Sequence, residues 1–167
     1  MKYLKLFETY TWEFLYNHKY NNIPTRWIKY KAIVDEVEYE VEFVTDDEKT
    51  YVRNFEILNE FTKRIHMDPN DIIKKFKPNP FRVFKCISEI TLEFIKEYKP
   101  EKIKIQHVGD ATGVKLSQRA LASYRFLKDK TDYQILYYPG REGSTNCLII
   151  RPDIIVSNSF KSRCITP

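Results

Sequence analysis

The chain has 167 residues, 43% of them hydrophobic and 15% aromatic, with 12 Tyr, 11 Phe and only 4 Gly. That composition excludes a disordered chain, argues against a glycine-rich phosphate cradle, and suits one domain with a ring-filled core. The net charge of +5 is unevenly spread: residues 1–60 carry 8 Lys/Arg against 12 Asp/Glu, and residues 61–167 carry 20 against 11.

No run of about 18 apolar residues is present, so no membrane-spanning helix is expected. Met1 to Glu8 lacks the apolar stretch of a signal peptide. Cys86, Cys147 and Cys164 are odd in number and widely spaced, which fits neither a disulfide framework nor a zinc site. A reducing, cytoplasmic location and no metal follow as expectations. The richness in Lys, Ile, Asn and Tyr suits an AT-rich genome, such as that of a phage or a low-GC bacterium.

Along residues 3–20, Leu4, Phe7, Trp12, Leu15 and Tyr16 fall roughly at helical spacing and predict a short packing helix. Asn21-Asn22-Ile23-Pro24 reads as a turn. Tyr30 to Val34 is a candidate strand. The clearest strand runs from Val37 to Phe43: Val37, Tyr39, Val41 and Phe43 share one face, while Glu36, Glu38, Glu40 and Glu42 share the other. Tyr51 to Leu58 is its antiparallel partner, which completes an N-terminal meander with an acidic outer face.

Asp68-Pro69 opens a short helix through Ile72, Ile73 and Phe76: an N-cap acid followed by proline at the first helical position. Asn79-Pro80 opens a long one, on which Val83, Phe84, Ile87, Ile90, Thr91, Phe94 and Ile95 form a single apolar face as far as Tyr98. Lys102 to His107 is a strand, Gly109 to Gly113 a loop, and Ser117 to Leu127 a helix. Tyr133 to Tyr138 and Cys147 to Arg151 are the last strands. The helical crossover after the Lys102 strand favours parallel pairing with the next one. Residues 157–167 read as a polar C-terminal tail.

The second half of the chain resembles the back half of the GNAT acyltransferase fold. The resemblance rests on Ala120-x-x-x-Tyr124-Arg125-Phe126-Leu127 followed by Tyr133-Gln134-Ile135-Leu136-Tyr137-Tyr138, and covers roughly residues 80–151. Val83-Phe84, Lys99-Pro100 and Ser117-x-Arg119 are similar to the pattern of uncharacterised tailed-phage proteins. The resemblance implies an α+β fold: a mixed, mostly antiparallel central sheet with two packing helices in the order β-β-β-α-β-α-β-β, as one domain over residues 1–156. It also implies that Tyr124 stands where many family members keep a general-acid tyrosine. Read from its own helix, Tyr124 is a core residue.

The start of the long helix departs from the family. Where GNAT enzymes place an Arg/Gln-x-x-Gly-x-Gly/Ala turn on the coenzyme A pyrophosphate, this chain has Asn79-Pro80-Phe81-Arg82-Val83-Phe84-Lys85. Pro80 lacks a donor and Phe81 crowds the approach of a phosphate to the backbone. No cofactor is therefore expected, and acetyl-CoA belongs to an alternative reading in which the chain is a divergent acyltransferase.

Arg82, Lys85, His107, Lys115 and Arg119 are the candidate binding residues. His107 ends a strand beside Gly109-Asp110, and Lys115 follows the Gly109 to Gly113 loop. Basic residues interleaved with Phe76, Phe81, Phe84, Tyr124 and Phe126 make nucleic acid a further alternative. The glutamate stripe Glu36, Glu38, Glu40 and Glu42 reads either as protection against edge-to-edge aggregation or as a docking surface for a basic protein or a second copy of the chain. The leading expectation is a non-enzymatic GNAT-like protein, phage-encoded, that binds a macromolecular partner.

Overall fold

In a computed structural model, residues 10–19, 21–106, 118–141 and 144–166 are described. Strands β1 (Tyr10–Lys19), β2 (Arg26–Val34), β3 (Val37–Thr45) and β4 (Thr50–Ile57) form an antiparallel meander. In β3, Val37, Tyr39, Val41, Phe43 and Thr45 are buried and the residues between them are half-buried, as period-2 alternation requires. Asp35 and Glu36 make the turn between β2 and β3 with φ of 48° and 70°. Two consecutive positive φ values match the twist of a tight hairpin.

The helix expected over residues 3–20 is replaced, where the chain is described, by strand β1. The register of β1 against β2 shifts between Phe14 and Tyr16. This bulge places Phe14, Leu15 and Tyr16 in succession, hides the period-2 signal, and leaves apolar spacings that imitate a helix.

Helices α1 (Asn59–Ile65), α2 (Pro69–Phe76) and α3 (Pro80–Tyr98) follow β4. Helices α2 and α3 start as their capping residues require. The Asp68 side chain accepts from the Asn70 N–H, and the Asn79 side chain accepts from the Phe81 N–H. Helix α1 has no side-chain cap, and nothing in the sequence announced it.

Helix α3 leads to β5 (Lys102–Ile105), which pairs parallel to β4. After α4 (Gln118–Lys128) come β6 (Gln134–Pro139) and β7 (Thr145–Ile150). The sheet order is β1-β2-β3-β4-β5-β7-β6. Strand β6 is thus not the parallel neighbour of β5. Strand β7 lies between them, antiparallel to both, and the parallel pair is β4–β5. The segment read as a tail carries α5 (Asn158–Lys161) and returns to the sheet, where Ile165 bridges Tyr137 on β6.

The fold is therefore α+β with one seven-stranded, mostly antiparallel mixed sheet. It has one more strand in the meander than expected, and two short helices precede the long one. Helix α3 packs on the buried face of the meander. The Phe94 ring lies flat on Phe43, 3.8 Å between centroids, and edge-on to Tyr51. Helix α4 packs beside α3, with the Ser88 and Ser123 hydroxyls 3.3 Å apart. Among the described residues no helix is long and apolar enough to cross a membrane.

Candidate functional site

The entrance to α3 is occupied by the protein's own groups. Asn79 caps the Phe81 N–H at 3.0 Å, and the Asn79 carbonyl accepts from the Val83 N–H. The Asn79 N–H donates to one carboxylate oxygen of Asp35, and Arg82 Nη1 donates to the other, both at 2.8 Å. Arg82 is thereby committed to the β2–β3 turn. Lys85 sits half-buried one turn further along the helix. Phe81 is the most exposed ring of the described chain, at 62%. A phosphate would have to displace these contacts to reach the backbone donors.

His107, Lys115 and the Gly109 to Gly113 loop lie outside the described residues. Arg119 falls in the first turn of α4, with its side chain outside them as well. Tyr124 is half-buried on α4. Its ring meets the Tyr137 ring edge-on at 6.1 Å, and Lys128 Nζ stands 5.7 Å from the Tyr124 centroid. Tyr124 is thus brought toward the interior beside Tyr137, with Lys128 covering its outer side.

Behind Tyr137 lies a feature the sequence reading passed over. Phe43, Arg53, Ile105, Cys147 and Tyr137 stand in one row across β3, β4, β5, β7 and β6, on the face that α3 covers. Four of the five are buried core residues, and the fifth is an arginine. Arg53 Nη1 donates to Thr91 Oγ1 at 3.0 Å, and Thr91 Oγ1 in turn donates to the Ile87 carbonyl. Arg53 Nε is buried with no hydrogen-bond partner.

Burial pulls the Arg53 guanidinium down to about 10, with Cys147 and Tyr137 acting weakly the other way. Burial likewise pushes the Cys147 thiol up to about 12, against the pull of Arg53, and raises the Tyr137 hydroxyl. Near neutral pH, therefore, Arg53 is charged and Cys147 and Tyr137 are neutral. Thr145, two residues before Cys147 on the same face of β7, is fully buried, and its hydroxyl has no partner. The signal that would have revealed Arg53 is its parity: Tyr51, Arg53 and Phe55 share a side of β4.

The glutamate stripe is divided by the fold. Glu36 is in the hairpin turn and not on β3. Glu40 and Glu42 both reach Lys29 Nζ, at 2.8 and 3.0 Å, across the β2–β3 pairing. Glu38 pairs with Lys31 at 2.8 Å and with Arg64 of α1. Burial disfavours the charged form of Glu38, but the hydrogen bonds from Lys31 and Arg64 outweigh it and hold the carboxyl below its usual range. These acids are 13–17% exposed and already matched with cations.

Some of the basic residues of the second half are also engaged, with rings of their own chain. Lys130 Nζ lies 3.9 Å from the Phe126 centroid, and Lys75 lies over Phe76. Rings covered in this way do not offer free stacking platforms for bases. Among the described residues no three His, Cys, Asp or Glu side chains converge as metal ligands. Comparison with protein-family models, with curated proteins and with solved structures finds no match to the chain.

Proposed function

We propose that the chain is a GNAT-like protein that acts by binding a protein partner and not by acyl transfer. The scaffold reading is supported by the order of the second half: a long helix, a strand, a helix and two final strands behind an antiparallel meander. Binding without transfer is supported by the occupied entrance to α3, where Asn79, Arg82 and Asp35 satisfy one another.

The observation that carries the partner is strand β1. It is ten residues long and ends the sheet. At its bulge, Phe14, Leu15 and Tyr16 are 44%, 39% and 44% exposed. Natural edges are usually blunted by charge, proline, brevity or a bulge; here the bulge is confined to one position, and Tyr10–Phe14 and Tyr16–Lys19 keep their ladder register with β2 on either side of it. This edge combines a row of main-chain groups with three apolar side chains, which fits an extended segment of another protein added as an eighth strand.

Two measurements test the reading. Random peptides selected on the wild-type protein should be extended and alternately apolar, and should bind the Phe14→Glu/Tyr16→Glu double variant at least about tenfold more weakly, since each ring buried is worth more than 1 kcal/mol. Equal binding to both proteins refutes the β1 edge. A homodimer that the same substitutions dissolve replaces the foreign partner by a second copy. Acetyl-CoA should leave the unfolding midpoint unchanged. A rise of about 5–10 °C at roughly 100 times its dissociation constant would restore the acyltransferase reading and direct attention to Tyr124.

A further inference from the structure

The connection between α2 and α3 concentrates positive charge. Residues 72–85 hold five Lys or Arg and no Asp or Glu. Only Lys77, Pro78 and Asn79 separate the two helices, so the last turn of α2 and the first turn of α3 meet at one corner. The bond from the Asn79 N–H to Asp35 ties that corner to the β2–β3 turn. Part of the charge has a local reason, since Lys74 and Lys75 suit the negative end of the α2 dipole. The start of α3 goes the other way. A helix N-terminus favours acids, yet the first turn of α3 contains none and carries Arg82.

The same corner exposes apolar groups. Phe81 is 62% exposed, and Ile73, one helical turn before Lys77, is 44% exposed. The inward face of α2 is already supplied by Ile72 and Phe76, so Ile73 is left to solvent. The lysines stand at the surface as well. The Lys74 side chain is 78% exposed and 3.6 Å from Asp71, a solvated pair that masks little charge. Lys75 and Lys77 are exposed. The two guanidinium forks of the region are committed elsewhere, Arg82 to Asp35 and Arg64 to Glu38.

We propose that this corner docks the protein on an anionic lipid surface. Phe81 and Ile73 enter the boundary between headgroups and acyl chains, while Lys74, Lys75 and Lys77 face the lipid phosphates. A protein partner fits less well, because interface cores are depleted in lysine. Nucleic acid fits less well too: the arginine forks are taken, and Ile73 offers no ring on which a base could stack. One ring and three lysines give a reversible attachment that salt weakens. Phe14 and Tyr16 of the β1 edge take no part in it, so the proposal does not rest on the partner reading.

The test sediments the full chain with vesicles of phosphatidylcholine alone, and with vesicles of phosphatidylcholine and phosphatidylglycerol in equal parts. The protein should bind the anionic vesicles at least about tenfold more tightly than the neutral ones, and added salt should release it. Phe81→Ala should weaken that binding about tenfold while leaving stability almost unchanged. Lys74→Gln/Lys75→Gln/Lys77→Gln should weaken it at least about tenfold. Phe14→Ser/Tyr16→Ser, which alters the β1 edge without adding charge, should bind as the wild type does. In Phe81→Trp, the added indole fluorescence should shift to the blue when anionic vesicles are present.

A wild-type protein that ignores the anionic vesicles, or binds both kinds alike, overturns the proposal, and that arm needs no substitution to fold. Binding that either the Phe81→Ala or the lysine variant leaves unchanged also overturns it, since charge alone or an apolar contact alone is not this site. Loss of vesicle binding in Phe14→Ser/Tyr16→Ser would move the contact to β1 and overturn it likewise. A single-stranded oligonucleotide that binds the wild type more tightly than the vesicles do, and is lost with Phe81→Ala, would replace the lipid by a stacked base.

Discussion

Asp35 and Arg82 are joined by a 2.8 Å ion pair that ties the β2–β3 turn to the first turn of α3. The second carboxylate oxygen of Asp35 accepts from the Asn79 N–H. Arg82 is half exposed, so the charge pair alone is worth less than about 1 kcal/mol, while the charged bond to a backbone donor adds about 1.5 kcal/mol at most. Asparagine tolerates the positive φ of position 35 and keeps one acceptor. Asp35→Asn should therefore cost about 0.5–1 kcal/mol in urea denaturation. Adding Arg82→Ala to it should cost less than the sum of the two single changes.

The neighbouring position makes the opposite prediction. Glu36 has φ of 70° in an exposed turn. A side chain there costs about 1–2 kcal/mol, and glycine removes that cost while giving back about 0.4–1 kcal/mol as unfolded-state entropy. Glu36→Gly creates the Asp-Gly pair that such a turn favours. It should stabilise the protein by about 0.5–1 kcal/mol, read as a higher urea midpoint with an unchanged slope. A loss of stability would mean that the Glu36 side chain makes a contact that matters.

Sequence patterns announced the elements whose physics is local. Strand β3 alternates without a break, and α2 and α3 carry an Asp or Asn followed by proline, so their ends were legible to within a residue or two. Strand β1 was not, because its bulge interrupts the alternation from which a strand is recognised. The place of β7 between β5 and β6 was not legible either, since pairing partners are chosen by the assembled sheet. The site was read least well. The glutamates of β3 looked like an open acidic surface because their partners, Lys29, Lys31 and Arg64, come from other elements. Arg53 was not singled out, although its parity with Tyr51 already put it on the inner face.

Glu38 gives the protein an acid-sensitive contact. Its folded-state carboxyl lies below the ordinary value of 4.5. A depressed carboxylate contributes stability that is present above the unfolded value and is lost as pH falls through the folded one. Stability should accordingly fall from about pH 5 downward, and Glu38→Gln should flatten that part of the curve while lowering stability at neutral pH. The check is urea denaturation of both proteins at several pH values. Parallel curves would show that Glu38 titrates alike in the folded and unfolded states.

Phe94 and Phe81 lie on the same helix and invite a direct comparison. The Phe94 ring is fully buried against Phe43, Tyr51 and Tyr98, with centroid distances of 3.8, 4.9 and 5.0 Å. Replacing it by alanine removes the transfer energy of the ring and leaves a cavity that a sheet and a 19-residue helix cannot close. Such truncations cost about 3–5 kcal/mol. Domains are stable by about 5–15 kcal/mol in all, so Phe94→Ala should lower the melting midpoint by ten degrees or more, if it folds at all. Phe94→Leu keeps most of the volume and should lose roughly half as much. Phe81 is 62% exposed and caps nothing, so Phe81→Ala should stay within about 0.5 kcal/mol of the wild type. Similar losses at the two positions would mean that α3 does not present this face to the sheet. A large loss at Phe81 alone would point to a contact made by that ring outside the monomer.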